Sequence, residues 1–408
     1  MVDDAADGMT GRYLLVLDDD FLDDTDRARV AVQEVCGGER PATTREGAPA
    51  PGRPRLFPEL GVAVAELSPQ QLAAARADRR LLGVEPERVR HAIGLSEEYL
   101  RGFRDAAQFL HAQLTAGAVA AAQFGDTEEL TWGLQATGVA ESPETGAGIA
   151  VAVLDTGLDL EHPDFAGRDV ETRSFVAGQT VQDAQGHGTH VAGTACGPLA
   201  PSSGRRYGVA HEARLMVGKV LGDDGTGTDA DILAGMSWAI SSGAQIISMS
   251  LGADVRAVST AYETAGRRAL AAGTLVIAAA GNNARRSAGN PGFVGVPANS
   301  PSIMAVGAVD PSLAVADFSA ASSTVDGGQV DIAAPGVDVH SSWPRPQVTR
   351  TISGTSMATP HVAGIAALWA QRTGARGQQL WAQLVQAAQR LPLPASDVGS
   401  GLVRAPGA

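Results

Sequence analysis

Three residues of this 408-residue chain have the types and the setting that nucleophilic catalysis requires. Asp155 directly follows an apolar run, His187 stands between two glycines, and Ser356 lies two residues after a glycine. A serine becomes a good nucleophile when a histidine poised near neutral pH removes its proton and a carboxylate orients that imidazole. The histidine follows the aspartate by 32 residues and the serine follows the histidine by 169, which is one of the chain orders known for such triads. The combination predicts a reactive serine.

Each of these residues alone has a structural interpretation as a turn former, a buried histidine or a helix cap. Other chemistries fit less well. An α/β-hydrolase esterase requires the order serine, aspartate, histidine and a Gly-x-Ser-x-Gly turn, whereas Ala358 stands at the second position after Ser356. His190 shares a helical face with His187, but Gly188 stands where a zinc hydrolase would carry its glutamate. We therefore expect His190 to be structural and no zinc to be bound.

The elements that must position these residues follow an alternating pattern from residue 127 onward. Continuous apolar runs, which are typical of strands buried on both faces of a parallel sheet, cover residues 149–154, 215–220, 246–250 and 275–280. Helical patterns lie between them at residues 187–196, 229–242 and 255–272. The sequence thus predicts an open α/β sheet, and such sheets bind ligands beyond the carboxyl ends of their strands, where Asp155 stands.

Three blocks of the chain, residues 153–159, 186–193 and 354–364, resemble the catalytic blocks of the subtilisin family of serine proteases (subtilases). The resemblance extends over residues 127–408. It implies a subtilisin-like, mostly parallel open sheet with helices on both faces, and serine endopeptidase activity. The catalytic residues that it implies are Asp155, His187, Ser356 and, as a donor to the oxyanion, Asn282. A turn residue after a glycine is the alternative interpretation of Asn282.

Two glycine-rich segments resemble the edges between which subtilases hold an extended peptide as an added strand. They consist of Gly225, Thr226 and Gly227, and of Ser250, Leu251 and Gly252. Glycine suits both because a peptide backbone must come close, although ordinary turn-rich loops are the alternative. Gly295 matches the pocket-floor glycine of the family, which would admit a large apolar side chain before the cut. The partner implied is a protein or peptide substrate in an extended conformation.

One departure from the family concerns metal binding. Asp164 matches a carboxylate that binds calcium in secreted relatives, but the corresponding partner loop, residues 197–206, contains two arginines and no acid. Calcium requires several oxygen ligands and negative charge. We therefore expect no metal and no other cofactor.

The region before the catalytic blocks reads as a small α+β unit over residues 12–93. Strands are predicted at 13–17, 60–67 and 82–85, and helices from Thr25 to Val35 and after the N-cap Ser68. This unit resembles the inhibitor-type prodomain of subtilases, a folding helper and transient intramolecular inhibitor that the enzyme removes; a generic α+β module is the alternative. Residues 94–126 are predicted to form a helical linker, with an amphipathic helix over 96–114.

The resemblance therefore implies a serine endopeptidase made as a self-inhibited zymogen. The alternative hypothesis is a catalytically silent peptide-binding protein on the same scaffold. Composition restricts the partners further, because 45 acidic and 31 basic residues give a net charge of -14, which disfavours nucleic acid. The two cysteines cannot build a disulfide framework. An acidic N-terminus without a following apolar run, and the lack of a membrane-length apolar stretch, predict a cytoplasmic protein without membrane contact, with secretion by another route left open.

Overall fold

The computed structural model of the protein describes residues 8–21, 24–43, 52–93 and 123–407. The predicted helix over 96–114 lies outside the described residues, as does most of the predicted linker. The described residues form two parts, the N-terminal unit (residues 8–93) and the C-terminal unit (residues 123–407).

The N-terminal unit is a small, mostly antiparallel sheet with two helices on one face. Its elements are β1 (Met9–Leu17), α1 (Thr25–Val35), β2 (Ala42–Thr43), β3 (Arg55–Phe57), β4 (Val62–Glu66), α2 (Pro69–Ala77) and β5 (Leu81–Ala92). Strand β1 lies between β4 and β5 and is antiparallel to both, and of the described strands in this unit only β2 and β3 pair in parallel. Helix α2 begins where the sequence predicts. Ser68 is its N-cap, Pro69 is its first residue, and Ser68 and Gln71 form a reciprocal capping box.

The last strand of this unit differs from the prediction. Strand β5 runs on to Ala92, whereas the apolar pattern ends at residue 85. Pro86 and the charged residues that follow it do not have the pattern of a buried strand. Residues 89–92 nevertheless form strand structure because they pair with two short strands of the C-terminal unit, which lie far away in the sequence.

The C-terminal unit is built around a parallel sheet. Its elements in chain order are α3 (Trp132–Ala136), β6 (Ala150–Asp155), β7 (Glu171–Ser174), α4 (His187–Cys196), β8 (Arg214–Lys219), β9 (Thr226–Thr228), α5 (Asp229–Ser241), β10 (Ile246–Met249), β11 (Leu251–Gly252), α6 (Thr260–Ala271), β12 (Leu275–Ala279), β13 (Met304–Val309), β14 (Ile332–Pro335), β15 (Val339–Ser342), β16 (Thr349–Ile352), α7 (Thr355–Thr373), α8 (Gly377–Ala387) and α9 (Ala395–Val398). Within the described ranges the sheet has seven strands in the order β14-β13-β12-β10-β6-β8-β7. All its neighbouring strands are parallel.

Both faces of this sheet are covered by helices. In the interior strand β6, Val151 and Val153 pack in the core formed with α4 and α7, whereas Ala152 and Leu154 pack in the core formed with α5 and α6. A strand buried on both faces is apolar at every position, which is why the continuous runs in the sequence predicted these strands. The α/β prediction is confirmed. Helix α6 begins at Thr260, later than predicted, because Ser259 is its N-cap.

The second of these two cores continues into the N-terminal unit. Leu14 and Val16 of β1 and Val62 and Val64 of β4 belong to the same buried cluster as the residues of α5 and α6. The opposite face of the small sheet packs against its own helices α1 and α2. The sheet of the N-terminal unit is therefore buried on both sides, once by its own helices and once by those of the C-terminal unit.

Neither the two cysteines nor the helices of the described residues form a cross-link or a membrane span. Cys36 and Cys196 are both buried free thiols, and burial raises the pKa of each to about 11. Within the parts of the chain that the structure describes, none of the helices combines the length and apolar character needed to cross a membrane.

Candidate active site

Asp155 and His187 lie side by side at the carboxyl end of the parallel sheet. Asp155 is the last residue of β6, His187 is the first residue of α4, and both side chains are fully buried. Nδ1 of His187 donates to Oδ1 of Asp155 at 2.8 Å. This bond fixes the tautomer of the neutral imidazole and leaves Nε2 free to accept a proton. Nε2 makes no well-directed hydrogen bond among the described residues, although the carbonyl of Ile93 lies near enough to favour its protonated form.

The surroundings of His187 favour its protonated form. Burial alone would lower the pKa of the imidazole, but the charge and hydrogen bond of Asp155 outweigh it, with further contributions from the charge of Asp183 and the carbonyl of Ile93. The pKa of His187 is therefore raised above its ordinary value. A base of this kind holds a proton strongly once it has accepted one.

Asp183 holds together the loops that carry this pair, and the sequence analysis did not identify it. Its Oδ1 accepts from Oγ1 of Thr156 at 3.0 Å and from the amide of Gly186 at 2.7 Å. Its Oδ2 accepts from the amide and the hydroxyl of Thr189 at 2.9 and 2.7 Å. Asp183 thus ties the loop after β6 to the first turn of α4. Its position four residues before His187 was the available signal.

Gly188 allows the first turn of α4 to approach the loop after β6. A Cβ at this position would lie 2.4 Å from the carbonyl oxygen of Gly157, well inside contact distance. The amide of Gly188 donates instead to Oγ1 of Thr156 at 2.8 Å. The glycine that argued against zinc in the sequence is therefore required by the packing of His187 against Asp155.

Ser356 lies at the start of α7 and faces the carbonyl of Ile93, the same group that acts on His187. It is fully buried, and its Oγ donates to the carbonyl of Ile93 and, at 3.2 Å, to that of Ser250. The hydroxyl of Ser250 donates back to the carbonyl of Ser356 at 2.8 Å. As the second residue of α7, Ser356 lies in the first turn, where backbone N–H groups have no partner within the helix.

Asn282 is positioned by the residue before the serine. Its Oδ1 accepts from both the amide and the hydroxyl of Thr355, each at 2.9 Å. Its Nδ2 is buried and has no hydrogen-bond partner among the described residues. Gly354 borders both this Nδ2 and the carbonyl oxygen of Ile93. A Cβ added to Gly354 would lie 3.2 Å from Nδ2 of Asn282 and 3.6 Å from the oxygen of Ile93. The site therefore holds an unsatisfied donor close to a carbonyl oxygen.

The end of β5 runs between the two segments that resemble substrate-binding edges. It pairs antiparallel with β9, with Arg90 opposite Gly227 and His91 opposite Thr226. On its other side it pairs antiparallel with β11, with Ala92 opposite Leu251 and His91 opposite Gly252. Two further bonds extend these ladders: the amide of Ala92 donates to Gly225 O at 2.9 Å, and the amide of Ile93 donates to Ser250 O at 3.3 Å.

The side chain of Ile93 lies against the second edge. A Cβ at Gly252 would be 2.9 Å from Cδ1 of Ile93, so a side chain there would collide with the isoleucine. Gly295 lies behind this edge, where an added Cβ would be 2.3 Å from the carbonyl oxygen of Ala253. The amide of Ala253 donates to Val296 O at 2.9 Å, which joins the two segments.

The candidate metal ligands have other partners. Asp164 accepts from the amide of Ser202 at 2.6 Å and from the hydroxyl of Tyr207. Nε2 of His190 faces the carbonyls of Val339 and Arg350 at 3.0 and 3.2 Å, to which it donates. Burial and the charge of His187 lower the pKa of His190 to about 3, which keeps it neutral. Among the described residues there is no group of three side chains able to hold a metal ion.

Comparison with known proteins agrees with this geometry. Residues 146–401 match the Subtilase family (Peptidase_S8). The chain is 42% identical to subtilisin DY of Bacillus licheniformis over 224 residues, which are 55% of this chain and 77% of that protein. It is 45% identical to subtilisin E of Bacillus subtilis (strain 168) over 226 residues, 55% of this chain and 56% of that protein. With subtilisin BL of Lederbergia lenta the identity is 40% over 277 residues, 67% of this chain and 94% of that protein. The chain therefore belongs to the subtilase family of serine proteases.

Proposed function

We propose that this protein is a serine endopeptidase that hydrolyses peptide bonds with Ser356, His187 and Asp155, assisted by Asn282. The observation that carries the proposal is the course of residues 89–93. They enter the site as an extended strand and end with the carbonyl of Ile93 on Oγ of Ser356. A protease must hold its substrate in this way, because the attacked carbonyl has to meet the nucleophile at contact distance.

In the proposed mechanism, Oγ of Ser356 attacks the carbonyl carbon while Nε2 of His187 takes its proton. Asp155 orients the imidazole and stabilises the imidazolium that forms. The negative charge that develops on the carbonyl oxygen is stabilised by Nδ2 of Asn282 and the backbone N–H of Ser356. His187 then gives its proton to the leaving amine, which leaves an ester on Ser356. Water repeats the sequence, releasing the acid and restoring the serine.

We further propose that the N-terminal unit is an intramolecular inhibitor, so that the protein is made as a zymogen. Polar contacts between the two units support this. Glu87 accepts from the amide of Ala230 at 3.0 Å in the first turn of α5, and Glu85 accepts from the amide of Thr260 at 2.5 Å at the start of α6. Carboxylates are stabilised at helix N-termini, so the unit binds where the catalytic part offers free donors.

The same strand indicates where self-processing occurs. Because the carbonyl of Ile93 meets Ser356, the bond that the triad would cut is the one between Ile93 and Gly94. The residues before the cut would then be Ile93, Ala92, His91 and Arg90, counted away from the bond. The partners proposed are thus this chain's own N-terminal unit first, and extended protein or peptide substrates afterwards.

Hydrolysis of a chromogenic peptide tests the enzymatic part of the proposal. We expect the purified protein to hydrolyse acetyl-Arg-His-Ala-Ile-p-nitroanilide and the Ser356→Ala variant to be inactive, because the alanine has no nucleophile. Ser287→Ala, which changes an exposed serine, is the matched control and should retain the wild-type rate. Equal rates for the wild type and Ser356→Ala would support the alternative of a silent peptide-binding protein, which the intact Asp155–His187 pair disfavours.

A further inference from the structure

Arg90, three residues before Ile93, forms a buried ion pair with Asp229 in the groove between β9 and β11. The side chain of Arg90 is 4% exposed and that of Asp229, the first residue of α5, is 0% exposed. Nε of Arg90 donates to Oδ1 of Asp229 at 2.6 Å, and its Nη2 donates to Oδ2 at 3.1 Å. The guanidinium also lies 5.8 Å from the ring centroid of Tyr262. His91, the next residue, is exposed.

Most of the hydrogen bonds to Asp229 come from the strand that fills the groove. Arg90 gives two, and the backbone amide of Arg88 gives a third, to Oδ2 at 2.8 Å. The C-terminal unit supplies the hydroxyl of Tyr262, which donates to Oδ1 at 2.8 Å, and the favourable field at the start of α5. If residues 88–90 leave the groove, the carboxylate therefore loses its counterion and three of these donors. The burial of Asp229 is that of the filled groove, so a peptide that takes the place of residues 88–90 would cover the carboxylate again and be favoured if it supplied a counterion.

We propose that Asp229 is a specificity-determining residue that selects substrates with arginine at the fourth position before the scissile bond. The inference rests on the proposed function, since it takes Arg90 as the occupant that a substrate side chain replaces. An incoming arginine in this position would restore the ion pair, while its backbone would follow β9 as Arg90 does, opposite Gly227. A neutral side chain would leave the carboxylate buried and unpaired.

The geometry distinguishes arginine from lysine. Two nitrogens of one guanidinium bind the two oxygens of the carboxylate, and the planar group lies by the Tyr262 ring. A lysine ammonium is a point charge that cannot make this paired contact. We therefore expect arginine to be preferred, lysine to be intermediate, and citrulline, which has the shape of arginine without its charge, to be poor.

The test compares kcat/KM for two peptides that differ in that one residue, acetyl-Arg-His-Ala-Ile-p-nitroanilide and its citrulline analogue. The expected ratio is roughly 10- to 100-fold in favour of arginine, the size of a hydrogen-bonded contact with a charged group. Equal kcat/KM for the two peptides would overturn the inference and leave the proposed function standing. If neither peptide, nor denatured casein, is hydrolysed in a Ser356-dependent way, the proposed function fails and the inference fails with it.

A variant separates the role of Asp229 from a general effect on structure. In Asp229→Asn we expect the ratio between the two peptides to fall close to one, whatever the absolute rates. Asp231→Asn is the matched control, because Asp231 lies on the same helix and caps it through Thr228. It should keep the wild-type ratio. A wild-type ratio in Asp229→Asn, or the same loss in Asp231→Asn, would contradict the assignment. If Asp229→Asn does not fold, the wild-type comparison alone decides.

Discussion

At the scale of single residues, most polar groups of the site are buried, and the cost of burying each one is offset by a hydrogen bond to a neighbour. His187 and Asp155 are both fully buried, and each makes the charge of the other tolerable. Ser356 and Ser250 exchange hydrogen bonds that hold the serine at the mouth of the sheet. The amide nitrogen of Asn282 has no such compensation, since it is buried without a hydrogen-bond partner among the described residues. An unsatisfied donor of this kind is suited to stabilising a charge that exists only during the reaction.

The raised pKa of His187 predicts the pH dependence of catalysis. Only the neutral imidazole can take the proton of Ser356, and a raised pKa extends the protonated form to higher pH. Asp155 and Asp183 remain beside His187 when residues 89–93 leave the groove, so the acid limb of kcat/KM is expected above pH 6.5, the ordinary pKa of histidine. It is measured by peptide hydrolysis across a pH series.

Substitution of Asp155 provides the control for this pH dependence. In Asp155→Asn the limb should move to lower pH and the rate should fall by orders of magnitude, since the charge that raises the pKa is removed. Glu171→Gln, which changes a surface acid paired with Arg214, should leave the limb in place. A wild-type limb at or below pH 6.5 would show that burial, rather than Asp155, dominates the titration of His187.

At the scale of elements, the positions of His187 and Ser356 depend on how closely α4 and α7 approach each other. Gly364 of α7 faces Val209 and the backbone of α4. A Cβ at this position would lie 2.5 Å from Cβ of Val209 and 2.8 Å from the carbonyl oxygen of Ala195. Neither neighbour is the movable end of a long side chain. The glycine thus sets the distance between the two helices that begin with catalytic residues.

Gly364→Ala is therefore expected to destabilise the protein. The gain in helix propensity is up to about 1 kcal/mol, whereas overpacking a core costs about 1–3 kcal/mol and more when rigid atoms collide. The free energy of unfolding should fall, measured by urea denaturation in a Ser356→Ala background to prevent self-digestion. Gly125→Ala, at a position with no atom within 4 Å of the added Cβ, is the control. An unchanged midpoint for Gly364→Ala would mean that the helices separate without cost.

Some elements of the site could be predicted from the sequence, and others could not. The strand that ends at Asp155 and the helix that begins at His187 were predicted because both leave a local pattern, a continuous apolar run and a glycine-flanked start. No local sequence pattern marks the extension of β5 to Ala92. The same is true of the pairing of Arg90 with Asp229, which is 139 residues away. Contacts between distant charged residues depend on the folded backbone, so the sequence alone predicted a groove and an inhibiting N-terminal unit, but not which residues of that unit would fill the groove.

At the scale of the whole molecule, the two units share one core and one strand. The small sheet packs on α5 and α6, and β5 passes from this sheet into the groove between β9 and β11. Glu87 lies in β5 just before the residues that enter the groove, and its ion pair with Arg12, at 2.6 Å, holds β5 to β1 of its own sheet. A cut after Ile93 would keep all of these contacts. We therefore expect the N-terminal unit to stay bound after cleavage and to inhibit until it dissociates or is degraded.

Self-processing by the triad is tested most directly by intact-mass spectrometry of the purified full-length chain, followed over time beside Ser356→Ala. We expect the wild-type protein to yield one fragment ending at Ile93 and a second beginning at Gly94, while Ser356→Ala remains whole. A wild-type chain that stays intact, or cleavage between the same two residues in Ser356→Ala, would contradict the claim that this triad cuts the strand it holds.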